Sequence, residues 1–206
     1  WIKNGRQGAF EVNNFTSPAF VARVNYHGVK GLRVGASFYY NQTAKNGTKP
    51  WRNTGYKFPV TIVTGDLQYK GFNNNLIVRG NAVYGNLGAS GALTTINNSS
   101  SAASGYPNTT VAQNAVSYGG EAGYNIGSFF HSKAPRIYPF IRYEYYNPME
   151  KTEANTGLLA DKRFQVSAVT AGLNYYALPN LVIKADYTHR SIGGGKYNDE
   201  NLVSVG

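Results

Sequence analysis

Alternation of apolar and polar residues through Val169 to Arg190, VTAGLNYYALPNLVIKADYTHR, constrains this chain more than any other feature. After the turn Ala177-Leu178-Pro179-Asn180, Leu181, Ile183, Ala185 and Tyr187 share one face. Val182, Lys184, Asp186, Thr188 and Arg190 share the other. Before the turn, Val169, Ala171, Leu173 and Tyr175 alternate with Thr170, Gly172, Asn174 and Tyr176. A period of two belongs to a β-strand whose faces meet different surroundings. One face here is uncharged and ends in tyrosines, while the other carries Lys184, Asp186 and Arg190. Such a hairpin suits a wall between lipid and a watery lumen.

The pattern recurs along the chain. Strands are expected at Ala19 to Tyr26, Leu32 to Asn41, Val60 to Tyr69, Leu76 to Gly85, Val116 to Ile126 and Ile137 to Asn147, with a last one starting at Asn201. Trp1 to Ser17 lacks a clean period and reads as an external loop. Asn86 to Asn114 is rich in Ser, Asn, Ala, Gly and Thr. A segment of that composition buries little apolar area against its ordering entropy, so it reads as a long surface loop.

Three regularities follow. Short connections such as HGVKG and ALPN alternate with long ones, the asymmetry of outer-membrane barrels. Outward tyrosines cluster at strand ends: Tyr26, Tyr69, Tyr124 and Tyr175 beside the short connections, and Tyr40, Tyr84, Tyr145 and Tyr187 toward the long loops. Two such girdles mark two membrane interfaces. Finally, no position expected to face outward carries Lys, Arg, Asp or Glu. The expected fold is all-β, a transmembrane antiparallel up-and-down β-barrel. A soluble β-sandwich would also alternate, but its buried face should favour Val, Ile, Leu and Phe over the Ala, Gly and Tyr found here.

Composition removes other classes. Among 206 residues there are 17 Tyr, 24 Gly and no Cys, and charged residues make up 15%. Mean hydropathy is −0.37 and no run approaches the roughly 20 apolar residues of a membrane-spanning helix. Net charge is +10, yet the basic residues are scattered through turns and alternating positions, which argues against a nucleic-acid partner. The chain begins at Trp1 and stops in a strand pattern at Gly206, so an interior piece of a longer protein is expected.

Three segments carry a family likeness: AFVARVNYHGVKGLRVGASFYY (Ala19 to Tyr40), YPFIRYEYYNP (Tyr138 to Pro148) and GLNYYALPNLVIKADYTHR (Gly172 to Arg190). They resemble the C-terminal part of Bacteroidota porins similar to the phosphate-selective porin O and P family. The resemblance implies a barrel of about sixteen strands, of which residues 1–206 supply about nine. It also implies an outer-membrane location and a homotrimer. The N-terminal strands and the closing aromatic strand of that pattern are missing here.

The residues expected to line the lumen are basic at Arg23, Arg33, Arg79, Arg142, Lys184 and Arg190, and acidic at Asp66, Glu121, Glu144 and Asp186. Charges in a wet pore set ion selectivity through the local potential. The basic surplus favours small anionic or neutral solutes. Arg142 with Glu144, and Lys184 with Asp186, are spaced to interact along one strand face, either as braces for the wall or in transport. The loop with Lys45, Lys49, Arg52 and Lys57 could attract anions or the phosphates of lipopolysaccharide, beside the outer-membrane lipid itself. No cofactor or metal is expected and no enzymatic site: His27, His131 and His189 sit beside no plausible nucleophile. Gly193-Gly194-Gly195-Lys196 lacks the Ser/Thr, spacing and helix of a phosphate loop. The Asn46 and Asn108 sequons indicate only exposed loops. The leading function is passive diffusion through a porin narrowed by an infolded loop, for which Asn86 to Asn114 is a candidate. The alternatives are a non-conducting barrel subunit of an envelope complex and a complete eight-stranded barrel.

Overall fold

The computed structural model describes residues 18–42, 57–99, 110–130, 135–178 and 180–206. Lys45, Asn46, Lys49, Arg52, Asn108, His131 and the expected external loop before residue 18 lie outside them. Alternation becomes nine strands: β1 Phe20–Tyr26, β2 Leu32–Gln42, β3 Pro59–Gly71, β4 Leu76–Leu87, β5 Asn114–Tyr124, β6 Arg136–Lys151, β7 Val166–Leu178, β8 Leu181–Ile192 and β9 Asp199–Val205. They form one antiparallel up-and-down sheet in chain order. β1 and β9 are its edges and do not pair with each other, so the sheet is open and the eight-stranded closed alternative does not apply.

Register keeps the two faces separate. Residues directly opposed in an antiparallel pair point the same way. Arg33 pairs with Gln68, Gln68 with Arg79, Arg79 with Glu121, and Glu121 with Arg142. On the other face Val34 pairs with Leu67, Leu67 with Gly80, Gly80 with Gly120, Gly120 with Tyr143, and Tyr143 with Val169. A one-residue slip would mix the two rows, and none occurs through the middle of the sheet. The shifts lie at the ends, between Asn114 and Val116 and between Tyr176 and Leu178.

Several boundaries depart from expectation, among them β6, which runs on to Lys151 where a strand ending at Asn147 is expected. β5 stops at Tyr124, and Ile126–Phe129 forms a 3-10 turn. Asn125 stops the strand by donating its backbone N–H to Asn75 O at 2.8 Å while its side-chain oxygen accepts from Ile137 N at 3.0 Å. β9 begins at Asp199, so the expected Gly-rich loop is shorter than it reads. The largest correction concerns the low-complexity stretch, which contains a helix, α1, over Ser90–Ser99.

Helix α1 folds because it does find a partner surface. Phe58, Val60 and Leu87 are buried, and Ala89, Ala92, Leu93, Ile96 and Val111 pack against them with Tyr39 and Ile62. Glu153 accepts from Gly91 N at 2.5 Å, placing a carboxylate at the positive end of the helix. Thr94 is fully buried, donates to Ser90 O at 2.9 Å and accepts from Val111 N at 2.9 Å. Ala, Leu and Ile at these few positions suffice where the average composition predicts a loop.

Away from this cluster the described residues leave most of both faces of the sheet open. The apolar face exposes Val24 (71%), Ile141 (58%), Ile183 (49%) and Val203 (77%).

Candidate functional site

All ten charged residues expected in a lumen fall on one face of the sheet by register. The row Arg33, Gln68, Arg79, Glu121, Arg142, Thr170 and Thr188 runs across β2 to β8. One residue pair toward the long connections runs Asn25, Gly35, Asp66, Asn81, Gly119, Glu144, Ala168, Arg190 and Glu200. Arg23 lies one row beyond, on the side of the long connections. Asp186 and Lys184 lie on the opposite side, toward the short ones.

Side chains join these rows into clusters. Arg23 Nη2 reaches Asp66 Oδ2 at 2.7 Å, with Arg33 3.9 Å from the other carboxylate oxygen. Arg23 also donates to Ser37 Oγ at 2.9 Å and Asn25 Oδ1 at 3.0 Å. Because Arg23 is on β1 and Asp66 on β3, the bond crosses β2 over Gly35, where any side chain would stand in its way. Glu121 sits between Arg79 at 3.4 Å and Arg142 at 3.2 Å. The Arg142 Nε contact has ion-pair distance without hydrogen-bond alignment. Arg142 also lies 3.9 Å from Glu144 and stands over the Phe140 ring at 5.5 Å. Thr170 and Thr188 share a 2.8 Å hydroxyl bond beside this cluster.

The Arg142–Glu144 spacing therefore yields a long pair. Lys184 and Asp186 share a face, but no ion pair within 4.0 Å forms between them among the described residues. Sequence reading missed Glu200, which bonds Arg190 at 3.0 Å across β8 and β9. The signal was present: carrying the alternation of Val203 and Val205 back two steps sets Glu200 with Ser204. It also missed Lys70 and Arg136, which take the same face at the short-connection end, Arg136 over the Tyr176 ring at 4.9 Å.

These ion pairs are a quarter to a half exposed. Each contributes on the order of 0.2–1 kcal/mol, so they organise potential more than they hold the sheet. With Lys70, Arg136 and Glu200 included, the face keeps a basic surplus, shared between the central row and the short-connection end.

Helix α1 lies on this same face, because Tyr39, Val60, Ile62 and Leu87 beneath it have the parity of Arg33 and Asp66. It covers the long-connection end and presents no charged side chain of its own. A 3-10 turn at Lys162–Phe164 stands in the loop after β6. There Asp161 accepts from Arg163 N at 2.9 Å and from its guanidinium, and these hydrogen bonds hold its carboxyl below the usual range.

The opposite face holds the expected tyrosines. Tyr26, Tyr40, Tyr84 and Tyr187 are exposed, Tyr69, Tyr124 and Tyr175 half-buried, and Tyr145 stacks on Tyr118 at 5.0 Å. Two corrections apply at its long-connection end. Asp199 and Lys151 carry its parity, so charge does reach this face beyond the tyrosines. His189 has a hydroxyl neighbour after all, with Ser191 Oγ 3.5 Å from its Nε2.

No protein-family model, curated protein or solved structure matches the chain.

Proposed function

We propose that this sheet is part of the wall of an outer-membrane β-barrel, and that its charged face lines an aqueous pore passing small hydrophilic solutes with a mild preference for anions. The observation that carries the reading is the division of the sheet. Arginine–carboxylate clusters, which need water or partners, occupy one face across eight strands. Exposed Val, Leu, Ile, Ala and Tyr occupy the other. In water, an apolar face of that extent would drive association. In a bilayer it is the surface that lipid requires.

The open edges fit a larger barrel. β1 and β9 run in the same direction, so closing them on each other would make a parallel seam. A wall antiparallel throughout needs an odd number of further strands. Seven would give a total of roughly sixteen, the size implied by the resemblance to porins of the phosphate-selective O and P type. A trimer in the outer membrane of a Bacteroidota cell belongs to the same reading.

Helix α1 is the proposed constriction. It lies over the charged face at the long-loop end, where an infolded segment narrows a lumen. Solutes entering there pass an uncharged helix before the Arg23–Asp66 and Arg79–Glu121–Arg142 clusters. Selectivity is mild because nearly every arginine has a carboxylate in reach.

Reconstitution in a planar bilayer tests this. Stepwise current with a reversal potential of weakly anion-selective sign is expected under a salt gradient. Absence of current from folded, inserted protein would contradict the porin reading and leave a structural barrel subunit.

A further inference from the structure

His189 and Ser191 are two residues apart on β8 and project from one face. That face is the apolar, charge-poor one. β9 sets Asn201 opposite His189 and Asp199 opposite Ser191. His189 Nδ1 lies 3.0 Å from Asn201 Oδ1, and His189 Nε2 lies 3.5 Å from Ser191 Oγ. Asn201 Oδ1 also accepts from the Tyr187 hydroxyl at 2.6 Å. An amide oxygen that accepts from Tyr187 accepts from the histidine as well. Nδ1 therefore carries the proton, and Nε2 turns its lone pair toward Ser191. Nucleophile, base and orienting group stand in the order that activates a serine, an order recognised by geometry on unrelated folds.

We propose that Ser191, His189 and Asn201 form a nucleophile site that cleaves carboxylic esters of membrane lipid. The choice of lipid rests on the proposed membrane reading; the activated serine does not. Along β8, at about 3.4 Å per residue, His189 lies about 7 Å and Ser191 about 14 Å beyond Tyr187. Interfacial tyrosines mark the edge of the hydrocarbon. The Tyr187 hydroxyl itself reaches Asn201, opposite His189. Counted from that hydroxyl along a tilted strand, Ser191 stands about 5 Å further out, at the level of glycerol esters, and an acyl chain would run down over Val169, Ala171 and Tyr187 on the same face.

In the structure Ser191 donates to Asp199 Oδ1 at 2.5 Å. Rotation of that hydroxyl toward His189 engages the base, and a separation of 3.5 Å is the loose geometry that tightens with substrate in place. Ser191 Oγ attacks the ester carbonyl carbon as its proton passes to His189 Nε2. The acyl C–O bond breaks, and the histidine returns the proton to the departing glycerol oxygen. Water then attacks the acyl-serine with His189 as base, releasing a fatty acid and restoring the hydroxyl. Asn201 is the positioning residue and holds the imidazole in the tautomer this requires.

The test uses the whole chain folded in detergent micelles and a long-chain alkyl fluorophosphonate, which bonds covalently to activated serines. Labelling at Ser191 is expected, lost in Ser191→Ala and slowed about a hundredfold or more in His189→Ala. Asn201→Ala should slow it and shift its pH profile, while Asp199→Ala should retain it. An unlabelled Ser191 in folded protein would overturn the proposal. Labelling that survives His189→Ala but fails in Asp199→Ala would overturn the assignment of the base. In mixed micelles with phosphatidylcholine, release of fatty acid is expected. Labelling without release would overturn the lipid substrate while leaving conductance a separate question.

Discussion

Gly35 has no side chain, and that absence lets Arg23 cross a whole strand to reach Asp66. The pair is partly exposed, so a double-mutant cycle on Arg23 and Asp66 should give coupling of at most about 1 kcal/mol. In a Gly35→Val background the coupling should vanish while the strand stays paired. Glu121 matters differently, because it neutralises Arg79 and Arg142 together. Glu121→Gln should leave Arg79 uncompensated and Arg142 with only its long Glu144 contact, and shift the reversal potential toward anions. Arg79→Glu with Arg142→Glu should shift it toward cations. An unmoved potential in either variant would place this cluster away from the narrow part of the pore. Asp161 supplies a pH-dependent case outside the strands. Hydrogen bonds from Arg163 lower its carboxyl below the ordinary range. The folded turn therefore gains from the ionised form above the unfolded-state value, and that gain is lost as pH falls through the lowered one. Amide exchange at Arg163 should stay slow across the range where a free aspartate titrates and quicken only at more acid pH.

At the level of elements, the strands were legible and the helix was not. Two-residue periodicity survives in every strand because each has an apolar and a charged or polar side. The boundaries near the long connections were misplaced where polar residues continue the pairing, as at Glu200. Helix α1 was hidden because only Ala92, Leu93 and Ile96 of its turns point at Phe58, Val60 and Leu87, and Phe58 and Val60 lie far earlier in the chain, just before and at the start of β3. The inward charges could be read one strand at a time, whereas their partners could not. Asp66 meets Arg23 and Glu121 meets Arg142 only once register is set. Two predictions belong here. Leu93→Ser with Glu153→Ala should detach α1 and raise single-channel conductance; unchanged conductance would put the helix outside the conducting path. Leu67→Lys places a charge at mid-strand on the apolar face. In a bilayer it should cost about 2–4 kcal/mol of folding stability in lipid vesicles, against nearly nothing if that face meets water.

At the scale of the whole molecule, the deciding property is which face of one sheet meets lipid. Ion selectivity, the role of α1 and the level of Ser191 relative to the membrane all depend on it. The chain has no cysteine, so single cysteines can report on each position without a background. The most direct measurement is the emission of an environment-sensitive fluorophore attached in turn at positions 63 to 68 of β3, clear of the residues that α1 covers, with the protein folded into lipid vesicles. Val63, Gly65 and Leu67 should give blue-shifted, lipid-quenched emission, and Thr64, Asp66 and Gln68 water-like emission, alternating at every step. Water-like emission at all six positions, or alternation with the opposite phase, would contradict the membrane wall.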